Sequence, residues 1–433
     1  MLFRLEILIL GVRIVHSLDI FCKYRKKIAT ACAATQLIFM NPCYAMMEDT
    51  EEAPIDLVTD VVRIVEREFY EELGSEWSSA KRRAFDVARA DPDIDAYALI
   101  SDLLIATGDK FTRLVPRSEV SRLREVSDIG APRGVLGIQL KMNNKKQLEV
   151  IANKKFGSTG QALKKGDVLL QVDGVPATKA TLDGDPGSTA RLLFERQNGQ
   201  QYEIVLQRSA PPAPVMTIAS GPNKRMLRLG TSFSKATVPA LSSLLDGHDT
   251  LVLDLRGNRG GVFEAGLASA AQFLEKDAPL TTISTRSAPQ QVRKTDYTGP
   301  FSRTKRPIIL LVDQDTASAA ELFAAALHYN KKDIALIGAC GATHTFGKAK
   351  IQRAETLPGG DLLLISYAVY LTPQNPPKDI SGYGLSPLDA SISSCCSYPS
   401  TTDDNADNSE ATRQEECLDA TIQAAAIIGH HPK

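Results

Sequence analysis

The chain has 433 residues, of which 43% are hydrophobic and 23% are charged, and these proportions are those of an ordinary globular protein long enough for two or three domains. Lys and Arg number 50 against 51 Asp and Glu, so the net charge is −1. This balance argues against a surface built to bind a polyanion, and we expect no nucleic-acid partner.

The beginning of the chain differs in charge from the rest. Residues 1–46 hold six Lys or Arg and only two Asp or Glu, and the basic pair Lys26-Lys27 precedes an apolar stretch over Ile28–Met40. A basic flank, a short apolar region and small residues are typical of an export signal, and the stretch is too short to predict a membrane span. We interpret residues 1–46 as a targeting leader that is cleaved near Ala45.

An earlier apolar segment, Leu5–Val15, gives the leader two parts. Such leaders resemble those that carry proteins into a plastid and then across the thylakoid membrane, which implies a chloroplast thylakoid lumen location. One alternative is a bacterial-type export signal, which would place the protein in the periplasm or another extracytoplasmic space. Another is an anchor that is never removed, which would associate the protein peripherally with a membrane.

The next region, residues 47–130, has a helical pattern. From Ile55 to about Ser121, apolar residues recur every three or four positions and predict helices with one buried face. The string Gly108–Arg113 interrupts the pattern. We interpret these positions as core and helix ends before any functional role.

Residues 131–209 change character, with short β-rich runs separated by glycine turns. The opening Gly134–Ile138 and the string Gly166–Gly174 resemble a PDZ domain. That resemblance implies capture of a free protein carboxyl end, which adds to a sheet edge while backbone amides hold its carboxylate. The alternative is a small β-rich spacer. The peptide-binding residues implied are Val135, Leu136, Gly137 and Ile138.

From residue 210 to 433 strands and helices alternate, which predicts an α/β core. A polar loop after Ser391 precedes a last short helix. The main predicted elements are strands over Thr250–Arg256, Pro307–Asp313, Ile334–Gly338 and Leu362–Leu371, and helices over Phe263–Leu274 and Leu418–Ile428.

Four cysteines lie beyond the leader, at positions 340, 395, 396 and 417. Cys395 or Cys396 could bridge Cys417, but the sequence does not assign the pairing. The chain contains neither a CxxC pair nor an HExxH string, so we expect no metal site and no cofactor.

Ser318 follows the strand Pro307–Asp313 and precedes an Ala-rich helix. A carbonyl bound there would face free amides and the positive end of the helix dipole, an arrangement that suits acyl transfer. The plainer interpretation is a helix cap, because Ser318 and Glu321 have the spacing of a capping box.

Lys348 lies in a glycine-containing loop, where a lysine is ordinarily a solvated surface charge. To act as a base towards a serine it must be neutral at working pH, and burial is the main physical means to that end. We expect Phe346 and the neighbouring apolar strands to provide the dry surroundings.

Several strings occur together in one order: Leu104–Arg113, Leu253–Gly261, Thr316–Glu321 and Thr345–Gln352. Preceded by the PDZ-like segment, the last three resemble the signature of the carboxyl-terminal processing proteases, also called tail-specific proteases. The resemblance implies an α/β fold with a crotonase- or Clp-protease-like core sheet with helices, an inserted PDZ-like β-rich domain and a helical N-terminal region.

Carried over by position, the resemblance makes Ser318 the nucleophile and Lys348 the general base of a serine endopeptidase without a cofactor. Gln352 matches the residue that orients the lysine. The substrate would be a protein or peptide with a free carboxyl end, and a thylakoid member of the family would trim a photosystem reaction-centre precursor. The implied oxyanion-hole amides are those of Gly261, Gly260 and Ala319.

Two departures from the family pattern favour a divergent member. The loop Ala339–His344 is longer than the family usually has, and Ala349 replaces an expected glycine. An alternative function is therefore a catalytically impaired PDZ-type protein that only binds carboxyl-terminal peptides. A Ser-His-Asp hydrolase is a third alternative, with candidate histidines at positions 248, 328 and 344.

Overall fold

The computed structural model describes residues 53–120, 136, 138, 140–143, 145, 147–150, 154–155, 162–177, 182, 184, 187–208, 213–245, 250–331, 333–396 and 408–429. The predicted leader, residues 1–46, lies outside these ranges. So do Val135, Gly137 and His248. Of the helices within the described residues, none combines the length and apolar character that a membrane crossing needs.

The amino-terminal part of the described chain is helical and packs against a strand from much later in the sequence. Buried apolar faces of its helices meet Leu363 and Ile365. The predicted interruption at Gly108–Arg113 is present, since Gly108 turns the chain at φ +73°. The strand that follows it, which pairs with Leu362–Leu371, was not predicted, and residues 117–120 are helical again. The elements are helices α1 (Pro54–Glu68), α2 (Ser75–Ala90) and α3 (Ala96–Ile105) and strand β1 (Arg113–Val115).

The next part is an antiparallel β-structure. Its strands are β2 (Leu140–Met142), β3 (Leu148–Val150), β4 (Lys154–Lys155), β5 (Ala162–Leu163), β6 (Val168–Val172), β7 (Val175–Pro176), β8 (Thr189–Glu195) and β9 (Gln201–Gln207). One sheet has the order β2-β3-β6-β8-β9 with β7 beside β6, while β4 pairs with β5. Alternate residues of β8, namely Ala190, Leu192 and Phe194, are buried, as a sheet with one covered face requires.

The remaining elements form the core. They are β10 (Met216–Gly221), β11 (Lys224–Arg228), α4 (Thr237–Leu244), β12 (Thr250–Asp254), α5 (Phe263–Ala271), β13 (Pro279–Ser284), β14 (Gln291–Lys294), β15 (Ile308–Val312), α6 (Ala319–Asn330), β16 (Ile334–Gly338), β17 (Lys350–Thr356), β18 (Leu362–Leu371), β19 (Ala390–Ser391) and α7 (Asn408–Ile427). One sheet has the order β10-β11-β12-β15-β16-β19 and is parallel from β11 onward. A second has the order β1-β18-β13-β14, with β17 beside β18.

Both faces of the parallel sheet are covered, which explains why β12, β15 and β16 are buried along their whole length. Leu253 and Leu310 point into one apolar cluster with α4, α5 and α6. Val252 and Ile309 point to the opposite face, into a cluster with Leu418 of α7. The predicted α/β class is confirmed.

The carboxyl-terminal segment differs from its prediction. Helix α7 begins at Asn408, ten residues before the predicted start, within what the sequence indicated as a polar loop. Disulfides join Cys395 to Cys417 and Cys340 to Cys396. They fasten α7 and the loop after β16 to the segment that follows β19.

Candidate active site

Two loops meet where neighbouring parallel strands end. Strands β12 and β15 are paired, so the loops that follow them leave the same edge of the sheet. The N–H of Gly257 donates to the Asp313 carboxylate at 3.0 Å, and the N–H of Ala317 donates to the carbonyl of Asn258 at 3.0 Å. The glycine loop and Ser318 are therefore held side by side.

The buried guanidinium of Arg256 secures the base of the glycine loop. It makes two hydrogen bonds to Asp254, at 2.8 and 2.9 Å, and reaches the carbonyl of Cys395 at 2.7 Å and the Gln414 side chain at 3.1 Å. Burial alone would raise the pKa of Asp254, but the guanidinium groups of Arg256 and Arg228 hold it below its usual value.

Ser318 has the backbone conformation of a strained turn. Its φ is +58° and its ψ is −121°, and α6 begins at the next residue. A capping residue ordinarily has a negative φ, so capping does not explain this conformation, which costs about 1–3 kcal/mol. The side chain is half-buried and thus accessible at the helix entrance.

Gly260 allows the glycine loop to approach Ser318 closely, and Gly261 allows it to approach the backbone of Phe233. A Cβ at Gly260 would lie 2.5 Å from the Cβ of Ser318, and one at Gly261 would lie 2.3 Å from the carbonyl oxygen of Phe233. The N–H of Gly260 donates to Oδ1 of Asn258 at 3.0 Å. Ala319, as the first residue of α6, has an N–H without an intrahelical acceptor.

Glu321 lies at the centre of the site and is fully buried. Its Oε2 accepts from the backbone N–H groups of Ser318 at 2.7 Å and Lys348 at 3.1 Å, and from the Tyr370 hydroxyl at 3.1 Å. Its Oε1 accepts from the Thr345 hydroxyl and the Gly347 N–H, both at 2.6 Å. Burial raises the pKa of Glu321, while the Thr345 hydroxyl and the three backbone N–H groups oppose that change. The bond to Ser318 belongs to the predicted capping box, but the other four lie beyond a cap.

The amine of Lys348 lies in a partly enclosed setting. Its Nζ donates to Oε1 of Gln352 at 2.9 Å and is 5.2 Å from the centre of the Phe111 ring. Gln352 in turn donates from Nε2 to the carbonyl of Phe111 at 2.7 Å, which fixes the orientation of its amide. Burial lowers the pKa of Lys348, as does the charge of Arg113, whereas Asp109 and Glu321 act in the opposite direction.

Ser318 and Lys348 are brought together through their backbones. Both N–H groups bond to the same oxygen of Glu321. Within the described part of the chain, no hydrogen bond joins Nζ of Lys348 to Oγ of Ser318, and the amine is directed to Gln352 instead. The hydrogen bond between a nucleophile and its general base is often long or poorly aligned in an enzyme that has no substrate bound.

The expectation for Phe346 is wrong. The residue is 40% exposed, and its ring contacts the Lys110 amine at 4.8 Å. The Lys348 amine lies over the ring of Phe111 instead. The string that contains it, Leu104–Arg113, is part of the sequence resemblance, but nothing in the string indicates which of its residues would reach the lysine.

The two departures from the family pattern are accommodated differently. Ala349 is buried at φ +48°, a conformation that favours glycine, and its N–H donates to the Tyr370 hydroxyl at 3.1 Å. The longer loop after β16 is fastened by the Cys340–Cys396 disulfide.

The other candidate residues lie apart from these contacts. Leu136 and Ile138 belong to the apolar cluster of the antiparallel sheet. The ring of His328 contacts the Ile334 carbonyl at 3.2 Å, and that of His344 contacts the Thr345 carbonyl at 2.7 Å. Among the described residues, no group of three or more His, Cys, Asp or Glu side chains is arranged to hold a metal ion.

Comparison with known proteins identifies the family. Residues 228–388 match Peptidase family S41. The chain is 30% identical over 312 residues to a carboxyl-terminal-processing protease of Synechocystis sp., covering 68% of this chain and 70% of that protein. It belongs to peptidase family S41 and is a serine peptidase of the carboxyl-terminal-processing type.

A further relative of this S41 peptidase comes from a plant, and a solved structure shares its fold. It is 30% identical over 315 residues to carboxyl-terminal-processing peptidase 1, chloroplastic, of Arabidopsis thaliana, covering 67% of this chain and 62% of that protein. A solved structure of a photosystem II D1 C-terminal processing protease has the same fold, with a TM-score of 0.50 and 23% identity over 78% of this chain and 93% of the other.

Proposed function

We propose that this S41 peptidase removes carboxyl-terminal extensions with Ser318 as nucleophile and Lys348 as general base. The observation that carries the proposal is the buried carboxylate of Glu321, which accepts hydrogen bonds from the backbones of both residues. A cap needs only the first of these bonds. The second supports a function for Glu321 in holding two distant chain segments at one reaction centre.

The chemistry follows from this assignment. The neutral amine of Lys348 takes the proton of the Ser318 hydroxyl as Oγ bonds to the scissile carbonyl carbon. The N–H groups of Gly261 and Ala319 would donate to the oxyanion, at the positive end of the α6 dipole. The ammonium then gives its proton to the leaving amine, and water releases the acyl group by the same route.

Gly260 and Gln352 have supporting functions in this proposal. Because the N–H of Gly260 is engaged by Asn258, we assign Gly260 to close backbone approach and not to oxyanion binding. Gln352 would hold the Lys348 amine until a substrate excludes water and the amine turns to Ser318. The lowered pKa of Lys348 supports this assignment, since a larger fraction of the amine is then neutral.

We further propose that residues 131–209 form a PDZ-like domain that binds the substrate's free carboxyl end. The antiparallel order β2-β3-β6-β8-β9 supports it, as does the apolar core to which Leu136 and Ile138 contribute. In the proposed complex the tail adds as a strand and the segment Val135–Ile138 faces its carboxylate.

Location and substrate are proposed from the leader and the relatives. The predicted two-part leader and the chloroplastic relatives favour the thylakoid lumen, with a photosystem reaction-centre precursor as the substrate. A relative from Bacillus subtilis keeps an extracytoplasmic bacterial location as the alternative. Import of the full chain into isolated chloroplasts, followed by lumen fractionation, distinguishes the two.

The test of the function uses a peptide with a carboxyl-terminal extension, the same peptide amidated at its carboxyl end, and the Ser318→Ala variant. We expect the protein to cleave the free-acid peptide and to cleave the amidated one poorly. Ser318→Ala should bind the peptide without cleaving it. Binding without cleavage by either form would contradict the proposal and favour a catalytically impaired tail-binding protein.

A further inference from the structure

We propose that Arg113 is a positioning residue for the general base: its guanidinium, on the same sheet face as Gln352, disfavours a second positive charge at Lys348. The inference rests on the proposed function, since it assigns a part of the same base. It places a determinant of the reaction in the amino-terminal region, far from Lys348 in sequence.

The register of three strands places Arg113 and Gln352 on one face. Arg113 of β1 lies opposite Leu364 of β18, and Leu364 lies opposite Ala354 of β17. Directly opposed residues share a face of a sheet, as do residues two apart along a strand. Gln352 is two residues from Ala354, and the irregularity of β17 falls before it, between Ile351 and Gln352. Arg113 therefore shares its face with the side chain that accepts from Lys348.

The loop before β1 keeps Arg113 in this position. Asp109 accepts from the N–H of Thr112 at 3.0 Å and from its hydroxyl at 2.7 Å. The Thr112 hydroxyl accepts in turn from the N–H of Ser366 on β18 at 3.1 Å. These bonds join the start of β1 to the sheet that carries Gln352.

Arg113 is exposed, and within the described ranges no carboxylate forms an ion pair with it. An ion-paired guanidinium would be nearly neutral in its effect on a neighbouring amine. An unpaired one keeps its full charge, although solvent screens it. Within the described ranges, therefore, no ion pair offsets the charge that Arg113 places on the face of Gln352.

Other charged groups face Lys348 from the elements around it. Asp109 and Glu321 favour the ammonium form of Lys348. Burial is the main cause of its lowered pKa, and the charge of Arg113 is the second.

The remaining charged groups nearby contact other partners. Lys110 lies over the rings of Phe111 and Phe346. Lys350 lies over the ring of Tyr70, and the Tyr370 hydroxyl donates to Glu321. Arg113 is therefore the group whose charge offsets the two carboxylates.

The experiment compares Arg113→Gln with Arg113→Lys and with Arg353→Gln. Arg353 follows Gln352 directly on β17, so it points to the opposite face, where it pairs with Glu68 at 2.8 Å. The first readout is the pH dependence of kcat on a tailed peptide. We expect Arg113→Gln to move the apparent pKa upward by about 0.5 to 1 unit, which lowers the rate about 3- to 10-fold below that pKa.

Three features separate a charge effect from damage to the fold. The rate of Arg113→Gln should approach the unaltered rate at high pH, Arg113→Lys should restore the profile, and 1 M salt should reduce the difference. The Arg353→Gln profile should stay in place. An unshifted profile for Arg113→Gln, or an equal loss of rate at every pH, would overturn the inference.

A second readout does not depend on cleavage. The Lys348 side chain can be titrated by NMR in protein labelled at lysine Cε, with Lys348→Met to assign the signal. A shift of the Lys348 titration in Arg113→Gln supports the inference even if no peptide is cleaved, whereas cleavage with an unmoved titration rejects it and leaves the proposed function standing.

Discussion

The nucleophile and the base of this site are held in place by different means. Most of what positions Ser318 lies close to it in sequence, namely the strained turn, the Asp313 contacts and the start of α6, and one more distant bond joins Ala317 to Asn258. The Lys348 amine depends on Gln352, whose amide is oriented by Phe111 from the amino-terminal region. A nucleophile can thus be built locally, whereas the surroundings of a buried base require distant parts of the chain.

The sharpest test of the base side is Lys348→Met, which keeps an unbranched side chain one atom shorter and removes the amine. We expect kcat to fall about 10³-fold, because general-base assistance is lost. The free energy of unfolding should be equal or higher, since a partly buried amine no longer needs to be desolvated. Peptide cleavage and urea unfolding measure both.

Lys350→Met is the matched control for that change, because Lys350 lies two residues away with its amine over the Tyr70 ring at 3.9 Å. Its rate should stay within about 5-fold of the unaltered rate, in the range expected of a surface substitution. A comparable loss in both variants would mean that the strand, and not the base, had been damaged.

Glu321→Gln tests the nucleophile and the base together, since it changes the acceptor of the backbone N–H groups of both Ser318 and Lys348. Each carboxylate oxygen accepts from at least one backbone N–H. Whichever oxygen becomes the NH₂ group of glutamine, that group will face a backbone N–H, and two donors cannot form a hydrogen bond. We expect the free energy of unfolding to fall by about 3 kcal/mol. The rate should fall about 100-fold, which corresponds to a loss of about 2.7 kcal/mol. Unchanged unfolding by calorimetry would show that Glu321 does not organise the site.

Gln352→Glu tests the base alone through its pH dependence. Lys348 has a lowered pKa in the folded protein, so activity should rise with pH as the amine loses its proton and level off below the roughly 10.4 of a free lysine. A carboxylate beside Nζ favours the charged amine and should move the profile upward by about 1 unit or more.

At neutral pH this shift would lower the rate about tenfold. Gln352→Met, which removes the hydrogen bond without adding a charge, is the control and should move the profile less. A downward shift in Gln352→Glu would be incompatible with a lysine base.

The smallest expected effects distinguish the two aromatic rings. Phe346 is exposed, so Phe346→Ala should change the rate by about twofold at most. Phe111→Ala should lower it about fivefold near neutral pH, because water then reaches the Lys348 amine and raises its pKa. Equal effects on kcat would remove the distinction between the rings.

Much of the core could be predicted from the sequence. Strands that are buried on both faces are continuous apolar runs, so Leu362–Leu371 and Ile334–Gly338 could be predicted with their observed bounds. The place of Ser318 could be predicted as well, because a strand, a turn and a helix follow one another around it in the sequence. Helix α7 was predicted too short, because its first half is polar. The disulfide between Cys417 of the helix and Cys395 holds that half in place.

The surroundings of the base could not be predicted in the same way. The pairing of β1 with β18 joins residues that are far apart in sequence, and periodicity carries no information about such pairs. Phe346 is two residues from Lys348 in sequence and was therefore predicted to shield its amine. Phe111 approaches that amine only through the pairing of β1 with β18. The disulfide partners were undetermined for the same reason.

The contacts of Arg256 have a consequence for how the protein is made. Its guanidinium is satisfied partly by Cys395 and by Gln414 of α7, both synthesised long after the strand that it anchors. A growing chain on the ribosome contains Arg256 before Cys395 and Gln414 have been synthesised. The base of the glycine loop would therefore gain all its hydrogen bonds only when α7 emerges. We expect a chain shortened before Asn408, which lacks both the Gln414 contact and the Cys395–Cys417 disulfide, to lose activity.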